Sequence, residues 1–197
     1  ADNILEGARE AGARLLFPGN VYSYGKFQTN PASEEHPTAA TSKKGILRRQ
    51  LEETLMGAHQ AGDVRVVIPR YPDFYGINVI NPIFAPIFES ALAGKSAAWP
   101  GKLDVPHSLI FVEDAAEAAI LLGGAEDAFR QIWHVPGPEP LTGRQFIELI
   151  FREAGNPTRA RSLSGIMFRL FGIVIPDAGE MVEILYQFEQ PMVLDGR

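Results

Sequence analysis

Residues 43–70 read KKGILRRQLEETLMGAHQAGDVRVVIPR, and this stretch decides the fold. Leu47, Leu51 and Leu55 recur every four residues, the stripe of a helix running from about Lys43 to Ala61. Gly62 ends it. The run VRVVIPR that follows is continuous and β-branched, as in a parallel strand buried on both faces. Upstream the same order occurs once more. Ile4, Leu5 and Ala8 keep helical spacing, with Asp2 or Asn3 as the expected N-cap and Gly12 as the stop. ARLLFPG, from Ala13, is then a short buried strand. Helix, strand, helix, strand is the alternation of an α/β fold with a parallel sheet.

Between the first strand and the second helix lies a polar stretch from Ser23 to Ser42, rich in Pro, Thr, Asn and Glu. It is long for a loop in a compact domain, and such loops are often functional. Downstream, NPIFAPIFESALAGK reads as a helix, HSLIFV as a strand, EDAAEAAILLGGA as a helix and QIWHVPG as a strand. PLTGRQFIELIFREAG is a helix opened by a capping box, with Thr142 as N-cap and Gln145 three residues on. From about Ala160 the pattern becomes irregular and apolar.

Composition narrows the function. The chain has 197 residues, a net charge of −6 and no cysteine. The acidic balance argues against nucleic acid as the main partner, since phosphate neutralisation needs concentrated Lys and Arg. The local cluster Lys43, Lys44, Arg48 and Arg49 reads as a solvated helix face. Without cysteine there is no disulfide framework and no thiolate metal site, which suits a reducing, cytoplasmic setting. No apolar run approaches the ~18 residues of a membrane span. The four histidines show no metalloprotease spacing, and G-x-S-x-G is absent, so neither a metal site nor a hydrolase elbow is expected.

Four blocks in this order resemble the extended short-chain dehydrogenase/reductase superfamily, in its NAD(P)-dependent epimerase/dehydratase group. NILEGAREAGARLLFPGNVYSYG resembles the helix and strand leading to that family's VYG loop. IPRYPDFYG resembles its LRPxNVYG strand end, and HSLIFVEDAAEAAILL its RDFxxVxDxAxA segment. WHVPGPEPLTGRQFIELIFREAG resembles its NxGxxxxxTxxE segment. The resemblance implies a Rossmann-like parallel sheet with helices on both faces, plus a small C-terminal substrate subdomain. Residues 1–80 would be the C-terminal half of the dinucleotide-binding domain, and 81–197 a mixed segment carrying substrate-subdomain elements. A homodimer through the helices matching Asn3–Gly12 and Lys43–Ala61 is also implied.

Two departures qualify what is implied. The family opens on a strand, a Gly-rich turn and a helix that holds the pyrophosphate, and no such glycine pattern lies near this N-terminus. The chain reads as an interior piece of a longer protein, so weak or absent NAD or NADP binding is expected of it alone. The family's chemistry also uses Tyr-x-x-x-Lys with a Ser or Thr. Lys44 matches the lysine, with Lys43 an equal match one register away. Four residues before Lys44 stands Ala40, and the serine position falls near Pro18.

The resemblance therefore implies an enzyme of the epimerase, dehydratase or reductase type with a degenerate triad, acting on a small carbonyl or sugar-like substrate. The alternative is a non-catalytic dinucleotide-binding or regulatory protein of the same fold. The expected catalytic residues are Lys44 and, as a substitute phenol, Tyr24. Lys44, Tyr71 and Pro72 would meet the cofactor, and Asn20, Tyr22, Asp73 and His107 the substrate. His107 also has a plainer reading as a surface histidine. Asp114 is expected as a helix N-cap and His134 as a packed histidine.

Overall fold

The computed structural model describes residues 1–172 and 182–196. Its centre is β3 (Val66–Tyr71), every residue of which is buried. On one edge β3 pairs with β1 (Leu15–Leu16) and β2 (Gly19–Asn20), and on the other with β8 (Ile132–His134), all parallel. Leu15 stands opposite Val66 and Gly19 opposite Arg70, so β1 and β2 are one line of chain in one register. The ladder is interrupted at Pro18, which has no amide to donate.

Alternation along β3 assigns its two faces. Val66 and Ile68 pack with Leu55 of helix α2 (Lys43–Gln60) and with Leu5 and Ala8 of helix α1 (Asp2–Glu10). Val67 points the other way, to Phe129 and to Leu122 of helix α4 (Val112–Gly124). Helices thus cover both faces of a parallel sheet, the arrangement that the helix–strand order anticipates.

A second core is built from the later chain. Helix α3 (Ala85–Leu92) with its N-cap Phe84, and helix α5 (Gly143–Glu153), contribute Phe84, Ile87, Phe146 and Phe151, which close around Trp99 of β5 (Ala97–Pro100) and Phe188. The capping box is present as the spacing predicts: Thr142 accepts from the Gln145 amide at 3.2 Å, and the Gln145 side chain returns to the Thr142 amide at 2.9 Å. Short pairs join this layer to the first. β4 (Asp73–Tyr75) runs parallel to β7 (Leu109–Phe111), with Asp73 opposite Leu109. β6 (Pro106–His107) runs antiparallel to β9 (Leu141–Thr142).

Three expectations need correction. The N-cap of α1 is Ala1, and Asp2 and Asn3 lie inside the helix. Asp114 does not cap α4: the N-cap is Phe111, and Asp114 sits in the first turn, where its charge suits the helix dipole. Beyond Ala160 the chain is more regular than its pattern suggests. β10 (Ala160–Leu163) pairs in parallel with β5, and helix α6 (Gly165–Gly172) follows. The apolar run that continues from α6 enters residues 173–181, which lie outside the described residues. The aromatic segment EILYQF joins the core through Phe188.

Candidate functional site

Because β2, β3 and β8 are parallel, their C-terminal ends share one edge, the edge at which open α/β sheets bind ligands. Asn20 ends β2. Its side-chain carbonyl accepts from the Tyr22 amide at 3.0 Å and sets the one-turn helix Tyr22–Tyr24. Gly45, in the first turn of α2, sits against the Tyr22 carbonyl and Ala40 so closely that a Cβ there would overlap both. This contact places Lys44 beside the Tyr22 turn. Lys44 is half-buried, whereas Lys43 is exposed, so the fold distinguishes two lysines that sequence register leaves equal.

Asp73 begins β4, two residues past the end of β3. Its carboxylate meets His107 Nε2 at 2.8 Å and keeps 14% of its side chain exposed. His107 is fully buried, which corrects its reading as a surface histidine. Its ring stacks on Phe188 at 4.8 Å and 10°, and meets Trp99 edge-on at 5.9 Å. Its second nitrogen, Nδ1, is buried without a hydrogen-bond partner among the described residues. The Tyr22 phenol completes the cluster. Burial first, and then the Asp73 carboxylate, push it well above the usual range of a tyrosine, against an opposing pull from Arg48. The charge of Asp73 thus links the Asp73–His107 pair to the Tyr22 turn, which Asn20 and Gly45 hold in place.

Two other phenols face elsewhere, whereas Tyr186 also acts on Tyr22. Tyr24 is fully buried, and its hydroxyl lies 2.5 Å from His134 Nε2. The Arg70 guanidinium lies over its ring at 4.5 Å, and burial raises its pKa. Tyr71 is buried too and donates to the Ala115 carbonyl at 3.1 Å; burial pushes it up to about 12. Pro72 is buried beside it, so what this segment offers a ligand is backbone. His134 is packed, as expected: its Nδ1 lies 2.8 Å from the Asp195 carbonyl, and burial lowers its pKa.

Sequence reading missed the groups behind this edge. Arg70 and Glu52 form a buried bidentate pair, with exposures of only 2% and 5%. Glu34 accepts from the His134 amide at 2.9 Å, and His36 packs edge-on against Tyr24. Glu52 has a weak signal in sequence, since it follows Leu51 and precedes Leu55 by three, close to the apolar stripe. Glu34 and His36 have none, because their burial depends on how a long loop folds back. Among the described residues no group of three or more His, Cys, Asp or Glu is placed to hold a metal, and no helix is long and apolar enough to cross a membrane.

A parallel sheet covered on both faces, with its polar cluster at the strand ends, defines a protein of the dinucleotide-binding α/β type. The particular family follows from sequence: the profile of the NAD dependent epimerase/dehydratase family matches residues 1–134, and the chain belongs to that family. No curated protein matches it. Among solved structures it is similar to dTDP-glucose 4,6-dehydratase from Bacillus anthracis in complex with NAD, with a TM-score of 0.73 and 17% identity over 83% of this chain and 54% of that one. It is similar to Thermus thermophilus UDP-glucose 4-epimerase in complex with NAD, with a TM-score of 0.70 and 23% identity over 82% and 55%. The Bordetella bronchiseptica enzyme WbmG in complex with NAD and UDP gives 0.67 and 22% over 82% and 50%. At these identities the likeness is one of fold. The chain spans about half the length of these structures.

Proposed function

We propose that this chain is the substrate-side part of an NAD(P)-dependent epimerase, dehydratase or reductase-like enzyme acting on a small carbonyl or sugar-like substrate. The observation that carries this reading is the meeting of Tyr22, Asp73 and His107 at the C-terminal edge of the parallel strands, beside the start of α2. A purely structural edge has no need of a partly exposed carboxylate fixed by a buried histidine.

The residues suit the nicotinamide end of a dinucleotide. Half-buried Lys44 would hold the nicotinamide ribose, and the Tyr71–Pro72 backbone would line the ring. When bound, the dinucleotide supplies hydride exchange. This chain's own side chains would orient the substrate through Asn20, Tyr22 and Asp73, and the loop and tail would exclude water. The triad is degenerate in this reading: Ala40 stands where the tyrosine is expected, and Tyr24 is sealed in the interior. The same burial of Tyr24 favours the second reading, a dinucleotide-binding protein that has lost its chemistry. The exposed Leu47 and Ile4 support pairing of two copies through α1 and α2.

The test is turnover by the longest natural form of the protein, with NADH and NADPH against a panel of small aldehydes, ketones and keto-sugars. Nucleotide oxidation that depends on one carbonyl class supports the enzyme. Tight nucleotide binding without turnover of any member favours the second reading.

A further inference from the structure

We propose that Asp73, held in place by His107, is the proton acceptor and donor at this strand-end edge. The inference rests on the reading of the chain as a dinucleotide-dependent enzyme, and names the group that does the work of the absent tyrosine.

The argument is one of reach and charge. Tyr24 has no exposed surface, and its hydroxyl is tied to His134. Tyr71 is spent on the Ala115 carbonyl. Burial raises the Tyr75 and Tyr186 phenols as well. The Tyr22 phenol is partly exposed, but burial first and then the Asp73 carboxylate favour its protonated form. It therefore donates a hydrogen bond and does not act as a base. Asp73 is different. One oxygen, Oδ2, meets His107 Nε2 at 2.8 Å, and the side chain keeps an exposed fraction of 14%.

His107 cannot touch a substrate, because it is fully buried between Phe188 and Trp99. It is a positioning residue. The N–H at Nε2 fixes the carboxylate rotamer, and the stacked ring fixes the N–H. Its Nδ1 is left buried and unmet, at a cost in desolvation that an apolar side chain in the same slot would avoid. A polar ring kept there despite that cost fits a role exerted on Asp73. The charged and titratable groups that act on Tyr22 beside the pair are Asp73, Arg48 on α2 and Tyr186.

In the oxidative direction the substrate C–H bond breaks and its electron pair leaves as hydride to an oxidised nicotinamide. The O–H bond breaks in the same event, its electrons form the carbonyl, and the proton goes to Asp73 Oδ1. In the reductive direction the carboxylic acid returns that proton to the new alkoxide.

Three variants of the longest natural form test this. Asp73→Asn should lower turnover by about 10²- to 10⁴-fold with nucleotide binding retained. His107→Phe keeps the ring stack, and should lower kcat and alter the pH–rate profile while KM changes by less than about threefold. Asp73→Ala serves to show that any loss in Asp73→Asn is not a folding defect particular to the amide. A readout independent of activity is the His107 ring, followed by NMR at neutral pH: its Nε2–H resonance should move in Asp73→Asn, because the bond to a charged acceptor is replaced by one to a neutral amide. Turnover of Asp73→Asn within about threefold of the wild type overturns the proposal. So does a His107 resonance indifferent to Asp73. If the wild type binds no nucleotide and reduces no carbonyl while His107 still responds to Asp73, the enzyme reading itself falls, and the proton role falls with it.

Discussion

At the scale of single residues, the most consequential buried feature is the Arg70–Glu52 pair with Tyr24 stacked on its cation. A charge left alone in such a place is costly, whereas removing both charges is not. Glu52→Ala should destabilise the protein by about 3–5 kcal/mol in urea unfolding, and a Glu52→Leu, Arg70→Met double variant should recover most of that loss. The pH dependence follows from burial. All five tyrosines have raised pKa values, with burial the largest cause in each. A raised phenol stabilises the fold fully below its unfolded value of 10.0 and loses that contribution as pH rises through the folded value. His36, His59 and His134 are lowered by burial from 6.5, so their contribution is present above that value and is lost as pH falls through the folded ones. Melting temperature should therefore hold a plateau between about pH 7 and 9.5 and fall on both sides, with tyrosinate absorbance appearing together with unfolding. Little of this was legible in sequence. His107 lies between Pro106 and Ser108, a context that suggests surface, and it is sealed by Phe188 and Trp99. Partners so distant along the chain leave no local trace.

At the scale of elements, the local signals were the readable ones. The capping box at Thr142 and the buried run Val66–Tyr71 appear where spacing and β-branching place them. The α2 stripe was legible only in part. Leu55 is buried against the sheet, but Leu47 is 65% exposed, because each four-residue step turns about 40° further round the helix and the buried line runs through Gly45, Glu52 and Leu55. That end is instead fixed by Ser42, whose hydroxyl accepts from the Gly45 amide at 3.1 Å, and by the tight fit of Gly45 on Tyr22. Ser42→Ala should cost about 1 kcal/mol. Gly45→Ala should cost more despite alanine's better helix propensity, because the obstacle to its methyl group is the backbone of the Tyr22 turn. If Gly45→Ala stabilises the protein in thermal melts, the placement of Lys44 beside Tyr22 is wrong. The exposed end of the same stripe bears on assembly. Leu47→Glu should leave the fold intact by circular dichroism and shift a dimer to monomer in light scattering, whereas a wild type that is already monomeric removes the dimer from the proposal.

At the scale of the whole molecule, the parallel sheet divides a dinucleotide's contacts unequally. In the proposed reading the strand ends present here would reach the nicotinamide side, through Lys44 and the Tyr71–Pro72 backbone. Pyrophosphate binding in folds of this type depends on a glycine-rich turn that lets backbone amides at a helix N-terminus approach the phosphates. No G-x-x-G-x-x-G or G-x-G-x-x-G turn occurs near the N-terminus of these 197 residues. The two longer helices near the site cannot substitute. The N-terminus of α2 is taken by Ser42 and by the Glu183 carboxylate, which accepts from the Lys43 and Lys44 amides. That of α4 carries Glu113 and Asp114, whose charges repel phosphate. Titration calorimetry on the 197-residue chain should therefore give no NAD(H) or NADP(H) binding tighter than about 1 mM, which corresponds to about −4 kcal/mol. A form of the protein that carries such a turn should bind at least about a hundredfold more tightly, a gain of about 2.7 kcal/mol from the phosphate contacts. Lys44→Ala then separates the two ends of the ligand: in the longer form it should weaken nucleotides that carry the nicotinamide ribose and leave adenosine diphosphate unchanged. A micromolar dissociation constant for the short chain would mean that its strand ends hold the dinucleotide without a glycine turn, and the division of contacts argued here would be wrong.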